Sequence, residues 1–255
     1  MKSNIVGRHW RVRVAIPILL LSVAIGPGCG GSSPGEGVLT EHLSEPLNGV
    51  ARAKLNIDAG DGNLTIDRLT GGEPVLIAGT LDYLEKQGQP ARTFVLFSDQ
   101  ADLELKAGQT EQRRTRLPWA ACNGATEWLI HLNPSVAVEI TAHSDGGNLD
   151  LDLGGMSVTG VAADTGGGNV DVVLPDAVED LQVTAKTGAG NVTVSIPSGV
   201  AARIRATTGL GKAIVDPRFV QMENGTYQSP GFDSAAHTIE ITADSGAGNV
   251  IVNTY

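Results

Sequence analysis

The chain has 255 residues, 41% of them hydrophobic but only 4% aromatic, and 33 of them glycine. That is length for one large domain, with a core of small branched side chains suited to thin stacked sheets. Lys2, Arg8, Arg11 and Arg13 account for four of the 18 basic residues, so beyond residue 28 the chain carries 14 basic against 28 acidic residues. A surface of that sign repels phosphate backbones and excludes nucleic acid as a partner.

Residues 1–28 form a basic start, an apolar run (residues 14–26) and small residues before Cys29. Thirteen apolar residues rise about 20 Å as a helix, short of the ~30 Å hydrocarbon core, so export is expected and not a permanent span. Cys29, followed by Gly30-Gly31-Ser32-Ser33, resembles a bacterial lipoprotein signal, which implies a lipidated Cys29 and a flexible linker over residues 29–49. The membrane would then be a partner through that lipid. Gly26 stands where such signals carry leucine.

From residue 50 to 255 one phrase recurs: Gly60-Asp61-Gly62-Asn63, Asp145-Gly146-Gly147-Asn148, Gly166-Gly167-Gly168-Asn169, Gly188-Ala189-Gly190-Asn191 and Gly246-Ala247-Gly248-Asn249. Gly209-Leu210-Gly211-Lys212 is a degenerate copy. The last glycines fall at 62, 147, 168, 190, 211 and 248, giving intervals of 85, 21, 22, 21 and 37. A repeat near 21 residues means a stacked architecture. The 85-residue interval has room for four degenerate coils, and the 37-residue interval reads as one coil plus an insertion over about 216–236.

Alternation flanks each phrase. Leu149, Leu151 and Leu153 share one face against Asp150 and Asp152, and Val170, Val172 and Leu174 repeat the pattern. Period two predicts half-buried strands, with glycines supplying positive φ at the corners. The fold class is therefore all-β: a stacked-strand, β-solenoid-like domain with coils of about 21 residues. Stacking predicts that Asn63, Asn148, Asn169, Asn191 and Asn249 align into a ladder, and that Asp150 and Asp171 stand on adjacent rungs.

These Gly-x-Gly-Asn strands resemble the toast-rack domains of bacterial envelope proteins, which include LiaF-like cell-wall-active antibiotic response proteins and the related "putative adhesin" group. The resemblance rests on residues 55–64, on 128–141, and on the tail from Ile196 through Gly209-Leu210-Gly211 and Tyr227–Phe232 to Val250. It implies a stacked β module at the envelope, used for interaction or stress sensing, without an active site.

Asp150, Asp152 and Asp171 are the weak candidates for a divalent cation, although calcium β-rolls repeat every nine residues with Asp after the glycines, not Asn every 21. Exposed strand-face acids more commonly guard solubility. Arg113, Arg114, Arg116 and Trp119 could dock an anionic wall polymer, against the plainer reading of a solvated loop. Neither His42, His131, His143 nor His237 has metal-ligand spacing. No cofactor is expected. The leading expectation is a non-enzymatic envelope interaction module binding an envelope protein or wall polymer. A self-associating, adhesin-like surface protein is the alternative, and a glycan-active enzyme comes behind both.

Overall fold

A computed structural model describes residues 37–72, 74–108, 126–176 and 179–255. The signal-like residues 1–28, the proposed lipidation at Cys29, and Cys122 lie outside the described residues. The strands in chain order are β1 (Val38–Pro46), β2 (Arg52–Asp58), β3 (Asn63–Arg68), β4 (Val75–Leu84), β5 (Ala91–Phe97), β6 (Gln100–Lys106), β7 (Glu127–Leu132), β8 (Ala137–Ser144), β9 (Leu149–Asp152) and β10 (Val158–Thr165). They continue with β11 (Val170–Val173), β12 (Leu181–Ala189), β13 (Val192–Ile196), β14 (Ala201–Leu210), β15 (Ala213–Val215), β16 (Val220–Gln221), β17 (Thr226–Gln228), β18 (Thr238–Ala247) and β19 (Val250–Thr254).

Two sheets face each other. One runs β1-β4-β7-β3-β9-β11-β13-β19-β15, the other β16-β17-β14-β18-β12-β10-β8-β2-β6-β5. A rung is one strand from each sheet joined at a corner, such as β10 and β11. The central rungs pair parallel, as β8, β10 and β12 do in one sheet and β9, β11 and β13 in the other. The expected alternation is what builds the core. Leu149, Leu151, Val170, Val172, Val192 and Val194 are buried from one sheet, and Ile140, Val161, Val183, Ile204 and Ile241 meet them from the other. Trp128, expected in the core, is 1% exposed, and its Nε1 donates to the Asp82 carbonyl at 3.0 Å. Small and β-branched side chains on both inner faces let the sheets lie close with few aromatics. Among the described residues no helix is long and apolar enough to cross a membrane.

Two expectations need correction. The 85-residue interval hides no stacked coils between its ends: Leu64, Thr65 and Ile66 pair directly with Leu149, Asp150 and Leu151. The intervening chain adds strands outward instead, with β6 and β7 forming a rung beyond β2 and β3, and β4, β1 and β5 pairing antiparallel at that end. Chain order also fails at the other end, where β18 lies between β12 and β14, and β19 between β13 and β15. Strand pairing is blind to chain order once a loop is long enough to reach. Last, the linker assigned to residues 29–49 contains β1, which pairs with β4 through nine registered positions. Its inward face includes Glu41 and Glu45, so its alternation is not apolar and escaped notice.

The insertion at 216–236 forms the cap of the far end. β17 pairs antiparallel with β14 and β16 with β17, while Phe219 and Phe232 are 4% and 6% exposed. The Arg203 guanidinium lies 4.3 Å over the Phe232 ring and reaches Asp233 at 3.0 Å and Glu240 at 3.3 Å. One side chain thereby ties the insertion to β18.

The corner ladder and a candidate binding face

The glycine corners stack on one side of the molecule. There the Oδ1 of Asn63 accepts the backbone N–H of Asn148, Asn148 that of Asn169, Asn169 that of Asn191, and Asn191 that of Asn249, each at 2.9 Å. Asn249 Oδ1 accepts from Lys212 N–H at 3.0 Å. The five asparagines thus stand in one column, with the degenerate corner at its end. Asparagine serves because its carbonyl arm is short enough to reach the next rung and carries no charge to repel its neighbours.

A second row lies behind it. Ser144 Oγ reaches Gly60 O and Gly62 O at 2.9 and 3.0 Å, and accepts from Gly147 N–H at 2.8 Å. Thr165, Thr187, Ser245 and Thr208 donate to Gly147, Gly168, Gly190 and Gly248 carbonyls at 2.7–2.8 Å. These hydroxyls satisfy carbonyls that the tight corner removes from water. Sequence reading passed over them, though the signal was there: each repeat has Ser or Thr three residues before its last glycine, except the first, which has Ala59.

The glycines are needed for close approach more than for torsion. A Cβ on Gly168 would stand 2.0 Å from the Gly147 carbonyl oxygen, and Gly168 does not have a positive φ. Gly248 combines both demands, with φ 152° and a Cβ position 1.9 Å from Gly190 O. The expectation that every corner needs positive φ is corrected accordingly.

The outer faces differ. On the ten-stranded sheet side chains pair across strands: Lys54 Nζ with Glu139 at 2.8 Å, His143 Nδ1 with Asp164 at 3.3 Å, and Arg203 with Glu240 at 3.3 Å. On the nine-stranded sheet acids stand side by side. Asp150 lies directly opposite Asp171 and two residues from Asp152. Partial burial, then Asp171, Asp152 and Asp67, push the Asp150 carboxyl above its ordinary range. Asp67 shares a hydrogen bond with His131 Nδ1. An open groove of about 440 Å³ follows on the return side, lined by Asp67, Arg68, Thr70, Asp152, Gly154, Gly155 and Asp176. At its margin the Tyr255 hydroxyl donates to Leu174 O and lies 3.3 Å from Asp176 Oδ1. Burial and those acids raise its phenol to about 12.

Of the cation candidates, the fold brings Asp150 and Asp171 together on adjacent strands and places Asp152 further along. Among the described residues no group of three or more His, Cys, Asp or Glu is arranged to hold a metal. His42, His131, His143 and His237 are dispersed over different strands and a turn. Arg113, Arg114, Arg116 and Trp119 lie outside the described residues. Sequence reading did not single out Arg68 or Asp176, because only the return turns of separate rungs bring them to one groove.

A family model described as the N-terminal domain of toast_rack, DUF2154, matches residues 33–195. Among solved structures, one titled as a "putative cell adhesion protein" from Clostridium sporogenes is 22% identical, with a TM-score of 0.77 over 86% of this chain and 100% of that one. At that identity the likeness speaks to the fold. A "putative adhesin" from Bacteroides fragilis is 11% identical over 87% of this chain and 100% of its own, but its TM-score of 0.33 carries no weight. No curated protein matches the chain.

Proposed function

The chain belongs to the toast-rack family, and from that membership we propose that it is a non-enzymatic interaction module of the bacterial cell envelope, exported and tethered to a membrane through a lipid on Cys29. The observation that carries this reading is where its polar groups go. Corner amides, hydroxyls and carbonyls are consumed in rung-to-rung bonding, which makes a stiff scaffold. Chemistry is left to the outer faces, where Asp150 stands opposite Asp171 and its carboxyl is raised by partial burial and by Asp171, Asp152 and Asp67. The partner on that reading is an envelope protein or a wall polymer, engaged in adhesion or in sensing envelope stress. The name carried by the Clostridium sporogenes neighbour points the same way.

Fractionation with mass spectrometry of the mature N-terminus tests it. A diacylated cysteine in the membrane fraction is expected. Cytosolic protein retaining residues 1–28 would overturn the envelope placement. Turnover of any polysaccharide in a panel, abolished by Asp171→Asn, would overturn the non-enzymatic reading.

Self-assembly is a second reading, favoured by one observation: the ten-stranded sheet ends on a strand whose outer residues are apolar and exposed.

A further inference from the structure

Among the described residues four strands end the two sheets: β1 and β15 in one, β16 and β5 in the other. Open edges present unpaired N–H and C=O groups to any passing strand, and folded proteins guard them with shortness, inward charges or proline. Three of the four edges are guarded in these ways. β15 has three residues and β16 two. β1 has nine, but its inward face carries Glu41 and Glu45 and it ends in Pro46.

β5 has only one such guard, Arg92 on the inward face near its start, where it pairs with Glu45, and is otherwise unguarded. It runs seven residues and, among the described residues, pairs on one side only, antiparallel to β6. From Thr93 to Phe97 it holds no charge, proline or glycine. Val95, Leu96 and Phe97 are 49%, 36% and 80% exposed. Such a segment has high strand propensity and nothing to repel a neighbour.

We propose that β5 is an assembly edge that pairs antiparallel with β5 of a second copy, joining two ten-stranded sheets. The strand complements its own reverse. Turned about Val95, it sets Val95 against the partner's Val95, Phe97 against the partner's Thr93, and Phe94 against the partner's Leu96. Phe94 and Leu96 share the inward face, since they register with buried Leu103 and Ala101, so their meeting extends the core across the junction. The same turn sets Arg92 opposite the partner's Ser98 and Asp99 opposite the partner's Ala91, so these two charges stand one position out of register. Their side chains keep 37% and 48% of their surface exposed despite the intramolecular pairs Arg92–Glu45 and Asp99–Arg52. A parallel copy would place Arg92 beside Arg92, whereas the antiparallel copy keeps the two arginines at opposite ends of the junction. Two seven-residue edges bury an area below the ~1,200 Å² of a stable interface, so the pair is weak in dilute solution. Confinement to a membrane surface would raise its effective concentration. The proposal rests on the self-assembly reading and not on the lipid anchor, so an unlipidated Cys29 leaves it standing.

The test uses the full chain, purified in mild detergent at high concentration, carrying either Val95→Cys or Leu210→Cys. Leu210 is 76% exposed and belongs to β14, third from the opposite end of the sheet order. Oxidation with copper phenanthroline should give a disulfide-linked dimer for Val95→Cys well above both Leu210→Cys and the wild type, whose signal reports Cys29 and Cys122. Adding Phe97→Lys should abolish that dimer while the circular dichroism melt is unchanged. Equal dimer from both cysteine variants, or none from Val95→Cys, overturns the proposal, as does a dimer indifferent to Phe97→Lys. Repeating the oxidation in intact membranes separates another occupant. If the Val95→Cys variant there forms an adduct with a different protein in place of the dimer, pairing between copies is overturned as well.

Discussion

Asn63 and Asn148 stand 85 residues apart in sequence and on adjacent rungs in space, the Oδ1 of the first accepting the N–H of the second at 2.9 Å. That bond places the two halves of the repeat in one stack. The same geometry recurs down the column, so removing a middle member should be felt. Asn169→Ala leaves the Asn191 N–H to water and should lower unfolding stability by about 1 kcal/mol. Lys212→Ala, at the end of the ladder, where only a backbone N–H takes part, should be neutral. Urea denaturation of the two variants checks the contrast.

Glycine identity should matter by position and not by count. Gly168→Ala drives a methyl to 2.0 Å from a backbone oxygen that cannot move without separating the rungs, and should cost ~3 kcal/mol or more. At Gly146, one rung away in the same stack, a Cβ meets nothing within 4 Å. Its alanine variant should stay within about 0.5 kcal/mol of the parent. Thermal melts of both would show it.

The hydroxyl row makes a prediction of its own. Thr187 is 5% exposed and donates to Gly168 O at 2.7 Å. Thr187→Val keeps the shape and orphans that carbonyl, for a loss of ~1–3 kcal/mol. Thr187→Ser retains the donor and should recover most of it.

The acidic strip should give a pH signature. Asp150 has its folded-state pKa raised above the ordinary 3.8 by partial burial and by Asp171, Asp152 and Asp67. The folded state therefore favours the protonated form, and the stabilisation this brings is present below 3.8 and lost as pH rises through the higher folded value. Asp150→Asn should then be more stable than the parent at pH 7, by about 0.5 kcal/mol once solvent screening of an exposed side chain is allowed for. The difference should vanish on acidification below the ordinary aspartate range. Denaturant midpoints across pH measure it, and a variant less stable at neutral pH would refute the like-charge account.

Much of this was legible in the chain. The alternation of Leu149, Asp150, Leu151 and Asp152 dictates which side is buried, because a strand turns successive side chains to opposite faces. The spacing of Gly147, Gly168 and Gly190 dictates that corners stack, and their stacking brings Asn148, Asn169 and Asn191 into register. Less legible were Ser144, Thr165 and Thr187, whose role depends on which carbonyls the neighbouring rung leaves unpaired. The groove at Arg68 and Asp176 needed three return turns to be placed side by side.

Local periodicity thus determined the strands, their buried faces and the corner residues, since those follow from backbone geometry within a few residues. Only the tertiary structure decided the order of the rungs. β18 and β19 enter between earlier strands, and β6 and β7 stack outside β2 and β3. Every rung offers the same hydrogen-bonding edge, so nothing in a repeat names its neighbour. The choice falls to loop reach and to the stack ends that can be capped, such as β14, covered by β17 and Phe232 of the insertion. The same global competition left β5 at an edge with its apolar face uncovered.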